Sequence, residues 1–257
     1  MIIQMSSNNY MELFIQDDTT RPIVLIAPGG GYQRTSPREA NPIKDKLVQE
    51  GYHVGIIYYR QSILVKEDVV DELVSFYQYI LESTHPIDKK KIILMGFSSG
   101  GHYIAKLGLT YQHYQLQAPY AMILCYPVIT GEEHIAHEDS IKRLYGEINE
   151  KTRALFSLEK RVTKYAPPTF LFHTLNDTAV PVENSLKLFN ALKKNEILTD
   201  LHIFNQGVHG ISLGTKEVKK DEDDPNRFEL ENLHNQNWFN LAMSFLRQLP
   251  FNIHNNK

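Results

Sequence analysis

Residues Lys91 to His102 read KIILMGFSSGGH, and the fold turns on how this stretch is read. Ile92 to Met95 is an apolar run of strand character that stops at Gly96, and His102 to Leu109 is helix-compatible straight after a second glycine cluster. Ser98 stands between them. With Gly96 two residues before it and Gly100 two residues after, it fits G-x-S-x-G, the turn that lifts a serine to the top of a sheet. Ser99 fails the same test because Phe97 lies two before it. A strand turning directly into a helix brings the flanking backbones close together, and the serine between them must take a sparsely populated conformation. A side chain at Gly96 or Gly100 would clash. An ordinary turn rich in small residues has the same local composition, so the reading depends on what surrounds it.

Upstream, Tyr10 to Ile15 has the pattern of an edge strand, and Ile23 to Ala27 is five consecutive apolar residues, a buried strand with no solvent face. That run ends in Pro28, Gly29, Gly30, Gly31 and Tyr32. Successive glycines leave backbone N–H groups uncovered, which is how a loop can approach a ligand and stabilise a developing negative oxygen. A flexible turn would look the same in isolation. Glu39 to Glu50 reads as a helix closed by Gly51, and Tyr52 to Tyr59 as the next strand, giving the β-α-β order of a parallel sheet. Val69, Leu73, Phe76, Tyr77 and Ile80 recur at helical spacing, so Glu67 to Leu81 is an amphipathic helix packed on that sheet.

Downstream, Ala121 to Tyr126 and Thr169 to His173 are further buried strands. Asp177 follows the second of these in the run LNDTAVP, at the strand end where open α/β sheets collect their chemistry, although Asn-Asp-Thr is also ordinary turn chemistry. Val182 to Lys194 reads as a helix, Leu201 to Phe204 as a strand, and Gln206 to Gly210 as a loop holding His209 between Gly207 and Gly210. The rival histidine is His102, four residues after Ser98, where it would point along the helix side; His173 and His202 fall inside strands. Pro127 to about Tyr165 is the least regular part, with Ala154, Leu155 and Leu158 fitting a short helix over a pocket. Its His134, His137, Glu138 and Asp139 lack the H-E-x-x-H order of a metal site, so a solvated helix or lid is the simpler account. Lys216 to Asp224 is a mixed-charge run expected to be a solvated loop, Trp238 to Leu249 a final amphipathic helix, and Asn252 to Lys257 a frayed tail.

The whole chain sets the bounds. Its 257 residues suffice for one large α/β domain over 1–257, with a small lid segment at about 128–165. Lys and Arg number 27 against 30 Asp and Glu, and a net charge of -3 gives no footprint for nucleic acid or a polybasic membrane contact. The lone Cys125 excludes internal disulfides and fits a reducing compartment, and no basic leader or long apolar run is present, so a soluble cytoplasmic protein is expected.

In chain order the candidates are Ser98, Asp177 and His209, each at the C-terminal end of a strand, and serine, acid, histidine is the order of the α/β-hydrolases. The chain resembles an esterase or lipase of that superfamily, close to bacterial carboxylesterases and acetyl or xylan esterases. GFSSG resembles the nucleophile turn, D-T-A-V-P the acid loop and G-V-H-G the histidine loop. The resemblance implies a mostly parallel sheet with helices on both faces. It also implies a serine carboxylesterase acting on short-chain, foremost acetyl, esters such as acetylated carbohydrate. No metal or organic cofactor is called for. By the same resemblance, Gly30, Gly31 and Ser99 supply the backbone donors of the oxyanion hole. The hormone-sensitive-lipase-like branch usually has His-Gly-Gly-Gly, whereas Pro28 stands here in place of the histidine, which removes the usual side-chain bond holding that loop. Two rivals are a prolyl-oligopeptidase-like peptidase or amidase, which shares the D-x-x-V-P loop, and a non-catalytic binding protein on the same fold.

Overall fold

Continuous apolar runs make strands with no face left for water, and in this protein they assemble at the centre of one sheet. The computed structural model describes residues 1–4, 9–59 and 68–250. Its strands are β1 (Ile2–Gln4), β2 (Tyr10–Phe14), β3 (Arg21–Ala27), β4 (His53–Tyr58), β5 (Ile87–Phe97), β6 (Ala121–Cys125), β7 (Thr169–Thr174) and β8 (Thr199–Phe204). They pair in the order β1-β2-β4-β3-β5-β6-β7-β8. β1 and β2 run antiparallel, and every pairing from β4 to β8 is parallel.

The helices are α1 (Asn41–Gln49), α2 (Asp68–Glu82), α3 (Ser99–Thr110), α4 (Glu138–Tyr145), α5 (Glu150–Phe156), α6 (Glu183–Lys194), α7 (Pro225–Asn232) and α8 (Asn237–Gln248). Alternation along the strands divides the core in two. Ile23, Leu25 and Leu94 pack with Phe76 and Ile80 of α2, Ile104 and Leu107 of α3, and Leu188 and Leu192 of α6. Val24, Ile26, Ile93 and Met95 face the other way, onto Ile43 and Leu47 of α1 and Trp238 and Phe245 of α8. Each such side chain contributes about 1.5–3 kcal/mol on burial, so both faces of the central strands are committed. Trp238 stacks on Phe172 of β7 with centroids 5.3 Å apart, and its Nε1–H donates to Ser212 O at 2.9 Å, which ties the last helix to the loop that follows β8.

Several expectations need correction. Tyr10–Phe14 is not an edge, because β1 covers its outer side. The helix expected over 39–50 begins at Asn41; Glu39 closes a separate turn, Pro37–Glu39, and is buried. The charged run at 216–224 opens with a turn, Lys216–Val218, that anchors Val218 in the core. It leads into α7, which the sequence reading left out although Asp224 accepts from Arg227 N–H at 2.8 Å as its N-cap and Pro225 opens the helix. Residues 127–165 hold α4, just after the histidines read as a solvated helix or lid, and α5, which takes in Ala154 and Leu155 and ends before Leu158. Glu67 and the tail at 252–257 lie outside the described residues. Among the described residues no helix is long and apolar enough to cross a membrane.

Candidate active site

The turn from β5 into α3 is set by backbone crowding. Ser98 has φ 52° and ψ −121°, a conformation that costs an L-residue about 1–3 kcal/mol and persists only where the surroundings impose it. They do so here: a Cβ at Gly96 would lie 2.5 Å from Gly100 O, and one at Gly100 would lie 2.1 Å from Ala27 O. Both glycines are required. Ser98 N–H donates to Cys125 O at 3.0 Å, fixing the turn against β6, and 8% of the serine is exposed, enough to present its hydroxyl at the sheet's C-terminal edge.

Ser98, Asp177 and His209 converge there. His209 Nδ1–H donates to Asp177 Oδ2 at 2.6 Å, and Ser98 Oγ–H donates to His209 Nε2 at 2.8 Å. Asp177 Oδ1 accepts the N–H groups of Ala179 and Val180 at 3.0 and 2.9 Å. Burial alone would raise this carboxyl's pKa, but hydrogen bonds from His173 and His209 outweigh it and hold the group below the usual carboxylate range. The acid is therefore ionised at neutral pH. The histidine loop is pinned at its base: Thr174 Oγ1 donates to Gly207 O at 2.8 Å, and Gly207 N–H donates to Asn176 Oδ1 at 2.8 Å.

The glycine loop is held differently, by side chains from distant segments. Gly29 N–H donates to Glu39 Oε2 at 2.7 Å, Gly31 N–H to Ser99 Oγ at 2.8 Å, Tyr59 O–H to Pro28 O at 2.6 Å, and Arg143 Nη1–H to Gly31 O at 2.9 Å. The three nominated donors thus divide. Gly31 N–H is engaged by Ser99. No described residue accepts from Gly30 N–H, which lines the cavity over Ser98. Ser99 N–H lies at the first residue of α3, where helical donors lack an intrahelical partner.

The sequence reading missed the residues that brace these loops. Glu39 is 3% exposed, and its other oxygen, Oε1, accepts from Tyr126 O–H at 2.6 Å. Tyr126 Oη in turn accepts Ser212 N–H at 3.0 Å, and its ring meets the His209 imidazole edge-on at 5.1 Å. Glu39 and Tyr126 so connect the glycine loop to the histidine loop, and Glu39 occupies the bracing role that Pro28 had left open. His173 lies behind the acid: its Nε2–H donates to Val180 O at 2.9 Å and faces Asp177 Oδ2 at 3.5 Å, while Nδ1 accepts from Ser185 O–H. His102 is buried and outside the reacting cluster. Its Nε2–H donates to Phe156 O, its Nδ1 accepts from Tyr32 O–H, and burial lowers its pKa to about 3, so it is neutral.

The cavity over Ser98 has a volume of about 300 Å³ and is bounded by Gly29–Gly31, His137, Ala179 and His209, with Arg34, Arg38 and Lys220 at its rim. His137 caps α4, its Nδ1 accepting from Ser140 N–H, which leaves the proton of the neutral ring on Nε2. Burial and then the neighbouring His209 lower its pKa. Among the described residues no three His, Cys, Asp or Glu side chains converge as a metal site would require.

The chain matches known proteins in sequence and in fold. A family model described as the prolyl oligopeptidase family matches residues 58–236. Endo-1,4-beta-xylanase B of Butyrivibrio fibrisolvens is 31% identical over 78% of this chain, and an acetylxylan esterase of Xylanibacter ruminicola is 26% identical over 80% of it. The chain spans 34% of the first relative's length and 44% of the second's. Among solved structures, an acetyl ester-xyloside bifunctional hydrolase from Caldicellulosiruptor lactoaceticus superposes with a TM-score of 0.79 at 28% identity, covering 96% of this chain and 90% of that one. A carboxylesterase from Lactobacillus plantarum shares the fold, with a TM-score of 0.80 at 24% identity over 96% of each chain. With the family model matching well over half of its length, the chain belongs to the prolyl oligopeptidase family and has the α/β-hydrolase fold.

Proposed function

We propose that the protein is a serine carboxylesterase for short-chain acyl esters, foremost acetyl esters, with acetylated carbohydrate among its substrates. The observation that carries this reading is the unbroken line from Asp177 through His209 to Ser98, with links of 2.6 and 2.8 Å. A serine hydroxyl is a poor nucleophile at neutral pH. His209 Nε2 takes its proton as Oγ attacks the acyl carbon, then returns it to the departing alcohol. Asp177 fixes the imidazole's orientation and stabilises its protonated form. Gly30 and Ser99 N–H hold the tetrahedral oxygen, each donor worth about 3 kcal/mol of barrier, and Gly31 serves by positioning Ser99. Water repeats the attack on the acyl-enzyme. The scheme uses only groups of this chain, and the buried, unpaired Cys125 suits a reducing compartment such as the cytoplasm.

The acetyl preference draws on the relatives' names and on the small cavity, which suits a short acyl group. The family match favours one further reading, an amidase or peptidase on the same triad. Ser98→Ala is expected to lower kcat/KM on 4-nitrophenyl acetate by about 10⁵-fold and to abolish labelling by a fluorophosphonate. Retention of activity within tenfold would overturn the triad. Parallel rates on acetyl esters and peptide amides decide between the two chemistries, with ester turnover expected to dominate.

A further inference from the structure

The rim of the cavity runs against the charge of the chain as a whole. The protein carries a net charge of -3, yet Arg34, Arg38 and Lys220 stand at the cavity, and among the described residues the one acid lining it is Glu39. Glu39 accepts from Gly29 N–H and Tyr126 O–H and forms no ion pair within 4.0 Å among the described residues; its single charge offsets one of the three cations and leaves the cluster net positive. Among the described residues, Arg34, Arg38 and Lys220 form no ion pair within 4.0 Å, whereas other cations, such as Arg143 with Asp139 and Lys187 with Glu132, do. Of the four acids that follow Lys220, Asp221 and Glu222 form no ion pair within 4.0 Å among the described residues, Asp223 is turned back to accept Lys220 N–H, and Asp224 caps α7.

Arg38 adds a second, independent observation. Its Nε–H donates to Val218 O, but its Nη2 is buried with no hydrogen-bond partner among the described residues. A buried donor of a charged group left unpaired is costly, but Nη2 is closed to the cavity as well as to water, so an incoming carboxylate is met by Nη1. Arg38 Nη1 lies 3.8 Å from where a Cβ of Gly210 would stand, beside His209. In ester cleavage His209 must hand its proton to the departing oxygen, so the alcohol portion occupies this side of the site.

We infer that the leaving-group side of the site takes an alcohol bearing a carboxylate, a sugar acid being the carbohydrate form of that chemistry. The inference rests on the esterase reading and specifies its substrate class. Arg38 and Lys220 meet the carboxylate from the His209 side, and Arg34 adds to the field that draws it in.

The test compares acetates that differ chiefly in charge: 4-acetoxybenzoate against 4-acetoxybenzamide, with rates corrected for leaving-group acidity, and an acetylated methyl glucuronoside against the matching methyl glucoside. A third pair, 4-nitrophenyl hemisuccinate against 4-nitrophenyl butyrate, places the charge on the acyl side. The acidic acetates are expected to have kcat/KM about tenfold above their neutral partners at low salt. That ratio should fall towards one in about 0.5 M NaCl, because screening weakens exposed charge pairs. The exposed pair Arg34→Ala/Lys220→Ala should narrow it at least threefold. If the neutral acetates turn over and the acidic ones are no faster, the charge assignment is wrong and the esterase reading stands. A preference confined to the hemisuccinate would overturn the placement on the alcohol side. If no acetate is hydrolysed, the esterase reading falls and takes this inference with it.

Discussion

Two glycine-bearing turns meet at the C-terminal edge of the sheet, and they are tied to the rest of the molecule in different ways. The turn at Ser98 is jammed by backbone: the atoms that a Cβ at Gly96 or Gly100 would strike belong to Gly100, Gly101, Ala27 and Pro28. The loop at Gly29–Gly31 has one jammed position, since a Cβ at Gly30 would lie 2.0 Å from Arg34 O, but it is tied to distant segments by side chains, and a Cβ at Gly31 would meet Arg143 Nη1, the far end of a flexible chain. The position of Ser98, the proposed nucleophile, is thus dictated by backbone, whereas the proposed donor loop also depends on Glu39, Tyr59, Ser99 and Arg143.

The sharpest way to break the contrast is at the jammed turn. Gly100→Ala has no flexible neighbour to displace, and a loss of more than about 3 kcal/mol is expected, read as a shift in the urea midpoint or as failure to accumulate folded protein. A variant as stable as the parent would show that the turn yields. At the glycine loop the cost should appear in catalysis. Glu39→Gln removes one acceptor from the pair Gly29 N–H and Tyr126 O–H, so kcat is expected to fall about 10–100-fold. KM should move little and stability drop by only about 1–2 kcal/mol. A normal kcat would remove Glu39 from the support of the donor loop.

His102 joins the two regions, since it sits on α3 and accepts from Tyr32 at the end of the glycine loop. Its folded-state pKa is about 3 against 6.5 for the free group, so between those values the unfolded chain binds the extra proton. Stability is then fully present above about pH 6.5 and declines as pH falls, by up to about 1.4 kcal/mol per unit. His102→Gln should flatten that decline in urea titrations between pH 4 and 7, and an unchanged slope would assign the acid sensitivity to another group. The smallest effect belongs to Arg143→Ala. Its side chain is 35% exposed, so the lost bond to Gly31 O should cost within about 1 kcal/mol in either kcat/KM or stability.

The same contrast explains what could be read from the chain. Ser98, Asp177 and His209 were visible because each follows a strand in a short motif whose reasons are local: steric need for glycine, an acid at a strand end, a histidine between glycines. The buried runs declared the parallel sheet for a similar reason. Glu39 was invisible. It stands one residue from Arg38 in a segment that reads as the start of a solvated helix, and only the fold buries it against Gly29 and Tyr126. Gly31 was assigned by resemblance as a donor, and nothing local reveals that Ser99 Oγ, 68 residues away, engages it. His173 looked like a strand residue and is one; its nearness to Asp177 comes from the turn after β7. The helix at 225–232 carried its own signals in Asp224-Pro225, and the charged run before it hid them.

The braces also span long stretches of chain. Ser98 and His209 are 111 residues apart, Glu39 and Tyr126 are 87 apart, and Arg38 O receives Ser212 O–H across 174. Contacts of such separation close late, because each must wait for the loops between to be ordered. The local helices are therefore expected to form before the site, whose completion requires the segment around Ser212 to dock against Trp238. On refolding from urea, helical circular dichroism should return ahead of esterase activity, which makes the reaction itself a clock for the last step of assembly.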